Sequence, residues 1–164
     1  MEVRILATGG TFDKEYDEIR GRLFFNESHL EEILKLGRCR LRVEVQTVML
    51  IDSLEMTDQD RSTIVEHCRD APEDRIVITH GTDTMVETAR VLSEKVRGKT
   101  IVLTGAMIPF AFGSSDGLFN IGGAVTAVQI LPNGVYVVMN GQVFPWYRAT
   151  KNRATGIFEF IPEA

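Results

Sequence analysis

Cysteine is scarce, with Cys39 and Cys68 the only two in 164 residues. They form no CxxC pair, so neither a disulfide framework nor a cysteine zinc site is expected. Histidine occurs three times and tryptophan once. Long apolar runs are missing too: Val135–Met139, among the longest, is strand-sized and far short of the roughly 18 residues of a membrane span. Basic residues are in deficit, 18 against 23 acidic ones, for a net charge of -5. That balance favours solubility and argues against a nucleic-acid partner or an acidic membrane surface. The opening Met1-Glu2-Val3-Arg4-Ile5 runs directly into Thr8-Gly9-Gly10, leaving no room for a signal peptide, so a cytoplasmic address is expected. On that expectation the sequon Asn26-Glu27-Ser28 is fortuitous.

What remains is ordinary for a soluble globular protein: 44% hydrophobic and 25% charged residues. The length is one domain's worth, enough to bury roughly 70% of the unfolded surface. Short apolar runs alternate with amphipathic segments, the pattern of βαβ units on a parallel sheet. Strands are expected at Val3–Ala7, Leu41–Val48, Arg75–Thr79, Thr100–Thr104 and Val135–Met139. Helices are expected from a Ser28–Glu31 capping box to about Gly37, from Thr57 through Cys68, over Asp83–Val96, and from Asp116 or Gly117 to about Ile130. The polar stretch from Thr11 to Asn26 exceeds a simple connection and reads as a functional or mobile loop. Ile51–Met56 reads as a loop and the tail to Ala164 as partly irregular. The expectation is a single α/β domain over 1–164 with a doubly wound, mostly parallel, Rossmann- or flavodoxin-like sheet.

In such sheets ligands bind beyond the carboxyl ends of the strands. This rule collects Thr8-Gly9-Gly10-Thr11, Asp52-Ser53, His80-Gly81-Thr82-Asp83-Thr84, Gly105-Ala106-Met107 and Asn140-Gly141-Gln142, followed by Thr150-Lys151. Hydroxyls, an aspartate and a lysine thus share one edge. Each segment has a bland reading. Thr8–Thr11 can be a plain strand-to-loop turn, since it lacks GxGxxG spacing and matches no P-loop. The hydroxyls and carboxylate of His80–Thr84 can cap the next helix; alternatively a threonine there is a nucleophile or substrate binder, with helix amides stabilising negative charge. Such a nucleophile needs a base, and Lys151 qualifies if the tail folds back and partly desolvates it. Gly113-Ser114-Ser115-Asp116-Gly117 matches GxSxG formally, but the preceding strand ends near Thr104, too early for a nucleophile elbow; Ser115 and Asp116 fit helix capping. His29 and His67 fit surface positions, and His80 local hydrogen bonding; no metal-ligand spacing is present.

Taken in order, Ala7-Thr8-Gly9-Gly10-Thr11, Asp52-Ser53, Thr79-His80-Gly81-Thr82-Asp83-Thr84-Met85-Val86-Glu87-Thr88-Ala89, Leu103-Thr104-Gly105-Ala106-Met107-Ile108-Pro109, Ser115-Asp116-Gly117-Leu118-Phe119-Asn120, Val137-Val138-Met139-Asn140 and Thr150-Lys151 closely resemble the bacterial-type L-asparaginases. The resemblance covers nearly the whole chain, and its His-Gly-Thr-Asp-Thr segment is the most specific part. It implies hydrolysis of L-asparagine to L-aspartate and ammonia through a threonine-bound acyl intermediate, with minor glutaminase activity. Thr11 and Thr82 would be the nucleophilic threonines, with Lys151 and Asp83 completing the polar triad of Thr82 and the mobile-loop Tyr16 activating Thr11. Ser53 would bind the substrate α-carboxylate and Asp83 its ammonium, while Gly10, Leu54, Gly81 and Ala106 line the pocket. No metal or organic cofactor is implied, and a homo-oligomer, dimer or tetramer, is.

Two departures accompany the resemblance. Family members carry a smaller C-terminal domain whose copy in a neighbouring subunit supplies an acidic residue, so a chain ending at Ala164 is expected to be the catalytic domain alone. Leu54 stands where many relatives have a polar side chain facing the substrate. Two readings from other classes remain open: an amino-acid-binding or regulatory module that kept the pocket, and a nucleotide-binding domain on the same fold.

Overall fold

The computed structural model describes residues 1–162. In chain order it contains β1 (Glu2–Gly9), β2 (Lys14–Asp17), β3 (Arg22–Phe25), α1 (Leu30–Leu36), β4 (Arg42–Ile51), α2 (Asp58–Asp70), β5 (Arg75–Thr79), α3 (Met85–Lys95), β6 (Thr100–Thr104), α4 (Gly117–Ile130), β7 (Gly134–Met139), β8 (Gln142–Pro145), β9 (Ala149–Lys151) and β10 (Phe158–Phe160). The main sheet runs β4-β1-β5-β6-β7-β8. Its first five strands are parallel and β8 returns antiparallel to β7.

The central strands β1, β5, β6 and β7 are mostly apolar because both faces of the sheet are covered there. Leu6, Ile76, Ile78, Leu103 and Val137 point into one core layer with Ile64, Val65 and Cys68 of α2 and Met85, Ala89 and Leu92 of α3. Ile5, Val77, Val102 and Val138 point into the other, against Leu30 and Ile33 of α1 and Ile121, Ala124 and Val128 of α4. The inward set expected for α2, Ile64, Val65 and Cys68, is the buried one. Thr57 caps that helix as expected, and its Oγ1 accepts the Asp60 amide at 3.3 Å while the Asp60 carboxylate accepts the Thr57 amide at 2.8 Å.

The molecule departs from the sequence-based expectations in four places. The Thr11–Asn26 stretch is no simple loop: Thr11–Asp13 form a 3₁₀ turn, and β2 and β3 pair antiparallel with Tyr16 opposite Leu23. The Asp17 carboxylate accepts the amides of Ile19 and Arg20, both at 3.0 Å, which closes the hairpin turn. The capping box at Ser28 does not form either. Asp13 takes over, its Oδ1 accepting the His29 amide at 3.0 Å and the Ser28 hydroxyl at 3.1 Å. A charged acceptor bound to a helix-start amide and a hydroxyl outcompetes a neutral one.

The third departure is the length of β4, which continues to Ile51 through an irregularity in its pairing with β1. Ala7 faces Thr47, but Gly9 faces Ile51. A bulge of this kind re-aims the chain that follows it, and here it delivers Asp52 and Ser53 to the sheet edge. Finally, α3 begins at Met85 rather than Asp83, because Thr82, Asp83 and Thr84 spend their polar atoms elsewhere.

Candidate functional site

The strand order reverses between β1 and β5: the chain passes from β1 outward to β4, then back across β1 to β5. Ligand crevices of open α/β sheets form at such a switch point. Gly10 follows β1 with φ of 77°, and a Cβ placed on it would lie 2.4 Å from the Gly81 backbone. A Cβ on Gly81 would in turn lie 2.5 Å from Ser53 Oγ. These two glycines therefore let three chain segments touch at their backbones. Gly10 and Gly81 are buried, and so is Ser53.

Beyond β5 the local sequence had two readings, capping and chemistry. At the start of α3 no side chain caps: Thr84 is the N-cap without a side-chain cap bond, and its hydroxyl donates to the Ser53 carbonyl at 2.9 Å. Lys151 folds back from β9, its Nζ 2.7 Å from Thr82 Oγ1 and 2.9 Å from Asp83 Oδ1. The Thr82 hydroxyl in turn donates to Met107 Sδ at 3.6 Å. Thr82, Asp83 and Lys151 thus come together although 68 and 69 positions separate the lysine from its partners. Thr82 is buried and the lysine head nearly so.

Lys151 is held there by a network of asparagines. Antiparallel pairing sets Lys151 opposite Phe158 of β10, and the Phe158 amide donates to Asn140 Oδ1 at 3.1 Å. The Asn140 amide donates to Asn120 Oδ1 at 3.1 Å, and Asn120 Nδ2 donates to the Gly105 carbonyl at 2.9 Å and to Asp116. The Asp116 carboxylate accepts the Met107 and Ile108 amides at 3.0 Å. The loop containing Ala106, itself buried, and the strand containing Lys151 are thereby fixed to one another. Met107 and Asn140 stand among the strand-end segments and Asn120 in the Ser115–Asn120 motif, but the sequence assigns none of the three a role. The available signal was a lone asparagine inside α4, whose other side chains are uncharged and mostly apolar.

His80 lies under the site, fully buried. Its Nδ1 is 2.7 Å from the Gly81 carbonyl and its Nε2 is 2.8 Å from Thr88 Oγ1. A carbonyl can only accept, so the proton sits on Nδ1 and Nε2 accepts from Thr88. Burial pushes the imidazole pKa down to about 4, with the Arg61 charge adding to the effect against the Gly81 hydrogen bond. This matches the local hydrogen-bonding expected of it. His29 and His67 are partly buried rather than surface residues.

On the other side stands Thr11, partly buried at the start of the 3₁₀ turn. Two residues on, burial raises the Asp13 pKa, against the opposing His29 amide, Ser28 hydroxyl and His29 charge. Tyr16 is not brought to Thr11: it is 54% exposed, and its hydroxyl reaches toward Gly21 at the hairpin's own turn. Lys14 ties the hairpin to the crevice through Asp52, 2.5 Å from Nζ. Although burial opposes it, this ammonium, with the Leu54 amide, holds the Asp52 carboxyl below its usual range. The Leu54 side chain itself is 65% exposed. Among the described residues no group of three or more His, Cys, Asp or Glu could hold a metal ion, and no helix is long and apolar enough to cross a membrane.

The class so defined is a doubly wound α/β domain whose switch point gathers two threonines, a serine and a lysine–aspartate pair. This chain belongs to the asparaginase family: the family model described as Asparaginase, N-terminal, matches residues 2–162. It is 30% identical over 168 residues to L-asparaginase of Thermococcus kodakarensis, covering 98% of this chain and 50% of that protein. L-asparaginase 2 of Escherichia coli K12 is 33% identical over 168 residues, covering 96% of this chain and 48% of that protein. The solved structure of the thermostable L-asparaginase from Thermococcus kodakarensis superposes with a TM-score of 0.85, over 100% of this chain and 52% of that one. The chain thus spans about half the length of the curated relatives it matches.

Proposed function

We propose that the chain is an asparaginase catalytic domain that hydrolyses the side-chain amide of L-asparagine, with L-glutamine a poorer substrate. The observation that carries this reading is Thr82 Oγ1 at 2.7 Å from Lys151 Nζ, with Asp83 on the same ammonium. Binding an amino acid does not require a hydroxyl set against a lysine; acyl transfer does.

In this mechanism a threonine hydroxyl adds to the carboxamide carbon. Its proton passes to the departing nitrogen, ammonia leaves, and an aspartyl ester remains on the threonine. Water cleaves the ester, releasing aspartate and restoring the hydroxyl. Thr82 and Thr11 supply the two hydroxyls and Lys151 the proton relay. Asp83 orients Lys151 and meets the substrate ammonium, Ser53 binds the α-carboxylate, and Gly10, Gly81 and Ala106 close the walls. Backbone amides at this edge stabilise the oxyanion. Leu54 borders the ammonium without a polar group, which favours weak substrate affinity. Tyr16 reaches Thr11 by a movement of the β2–β3 hairpin, in the manner of a mobile active-site loop over 12–26.

The proposal extends to a cytoplasmic homo-oligomer, a dimer or tetramer. Unpaired Cys39 and Cys68 support the reducing address. Exposed Leu118, Phe119 and Ile130 on α4, with Val143 on β8, support self-association.

Ammonia release from asparagine and glutamine, assayed in parallel, tests the reading. Release is expected, faster from asparagine, and replacing Thr11 or Thr82 removes most of it. Asparagine binding without ammonia would mark an amino-acid-binding module instead, and nucleotide binding without any asparagine effect a nucleotide-binding domain.

A further inference from the structure

We propose that Met107 is an oxidation site placed on the Thr82 hydroxyl, through which hydroperoxides switch off the site reversibly. The inhibitory part rests on the catalytic role proposed for Thr82; the reactivity of the sulfur does not.

The chain has six methionines. Met56, Met85 and Met139 are buried and Met49 is partly so, whereas Met107 is 42% exposed and Met1 69%. Of the two exposed thioethers, Met107 alone touches the site, its Sδ accepting the Thr82 hydroxyl at 3.6 Å. Its main chain cannot swing away, because Asp116 holds the Met107 and Ile108 amides. Its methyl group rests over Gly156, where an added Cβ would come within 2.8 Å of Cε. Sulfur is therefore held beside Thr82, on a side chain of which 42% is exposed. Thiols compete poorly at the core: burial pushes Cys68 up to about 12, so it carries almost no thiolate.

The chemistry balances with a hydroperoxide as the sole co-reactant. A sulfur lone pair attacks the terminal peroxide oxygen, the S–O bond forms and the O–O bond breaks. The leaving oxygen takes the proton from the transferred one and departs as an alcohol, or as water from hydrogen peroxide. Sulfur is oxidised by two electrons, to the sulfoxide, and the peroxide is reduced by two. A thioether is a weak acceptor that lets the Thr82 proton turn toward Lys151 whenever its nitrogen is the neutral amine that a proton relay requires. The sulfoxide oxygen is a strong acceptor, reaches further into the crevice, and holds that proton on the side away from the lysine. Methionine sulfoxide reductases reverse the change.

The experiment treats the intact protein with hydrogen peroxide and follows each methionine by peptide mass spectrometry alongside ammonia release. Met107 is expected to gain oxygen at a rate comparable to Met1 and ahead of Met56, Met85 and Met139. Ammonia release should fall by about 100-fold, the low end of what loss of proton transfer costs, in step with the Met107 peptide, and recover with sulfoxide reductase. Met107→Leu, measured against its own untreated rate, should keep that rate through the same treatment. A readout independent of activity is the Thr82→Val variant, which frees the sulfur lone pair and should speed Met107 oxidation by about threefold, a size that loss of a weak hydrogen bond supports. Inactivation that tracks Met1 or Cys39, equal inactivation of Met107→Leu, or an active Met107 sulfoxide overturns the switch. Unchanged Met107 oxidation in Thr82→Val overturns the contact. Absence of ammonia release from untreated protein counts against the asparaginase reading alone, since the oxidation rates still decide the contact.

Discussion

The Thr82 hydroxyl stands between Lys151, which donates to it, and the Met107 thioether, to which it donates, and its chemistry depends on where its own proton goes. Lys151→Met keeps the apolar stem and removes the ammonium, so ammonia release should fall by about 100-fold or more with little change in thermal midpoint. Equal activity in this variant would assign the proton relay elsewhere. Asn120 is the complementary case, a residue that works through others. Asn120→Ala strands the Gly105 carbonyl and the Asn140 amide, each now bonded to its side chain. Leaving such buried groups unpaired costs about 1–3 kcal/mol, readable as a lower urea midpoint at unchanged slope. Thr82, Asp83 and Lys151 were legible in the sequence because a compact motif and a strand-end rule point at them. The asparagine bridge was not, because its members are hydrogen-bonded across 15 to 20 positions of chain and no local periodicity records such pairings.

At the scale of elements, four of the five parallel strands were legible because burial on both faces writes each one as a short apolar run, and the edge strand β4 because its side chains alternate. The β2–β3 hairpin was not, since Lys14-Glu15-Tyr16-Asp17 is mostly polar and its partner strand, Arg22–Phe25, is largely exposed. No buried face imposes a period-two pattern on it. Its hold on the domain comes instead from point contacts, Lys14 with Asp52 and Asp13 with the start of α1. Lys14→Ala removes the clasp nearest the crevice and leaves the Asp13 anchor. Proteolysis at the Asp17–Gly21 turn should then quicken and KM for asparagine should rise, with the global unfolding midpoint nearly unchanged. A rise in proteolysis throughout the chain would instead mean that the clasp stabilises the whole fold.

At the scale of the molecule, the α2–α3 layer and the crevice meet near His80, where β5 ends against α3. Its ring accepts from Thr88 of α3 and donates to the Gly81 carbonyl next to Thr82, so its titration loads the whole fold. Protonation would put a charge on a fully buried ring, close enough to Arg61 to feel its charge as well. The folded-state pKa of about 4 lies below the ordinary 6.5, so the unfolded chain binds the proton more readily. The stability that His80 contributes is therefore fully present above about pH 6.5 and is lost as pH falls toward 4, at roughly 1.4 kcal/mol per pH unit. Carboxylates titrate in the lower part of the same window, so the measurement is a difference between proteins. His80→Asn keeps a donor for Gly81 and carries no titrating group. Its urea-unfolding free energy should lie below the wild type at pH 7, and the gap should narrow steadily between pH 6.5 and pH 4. A constant gap across that window would mean that the imidazole is protonated as easily in the folded protein as in the unfolded one, and that the core beneath Thr82 is open to water.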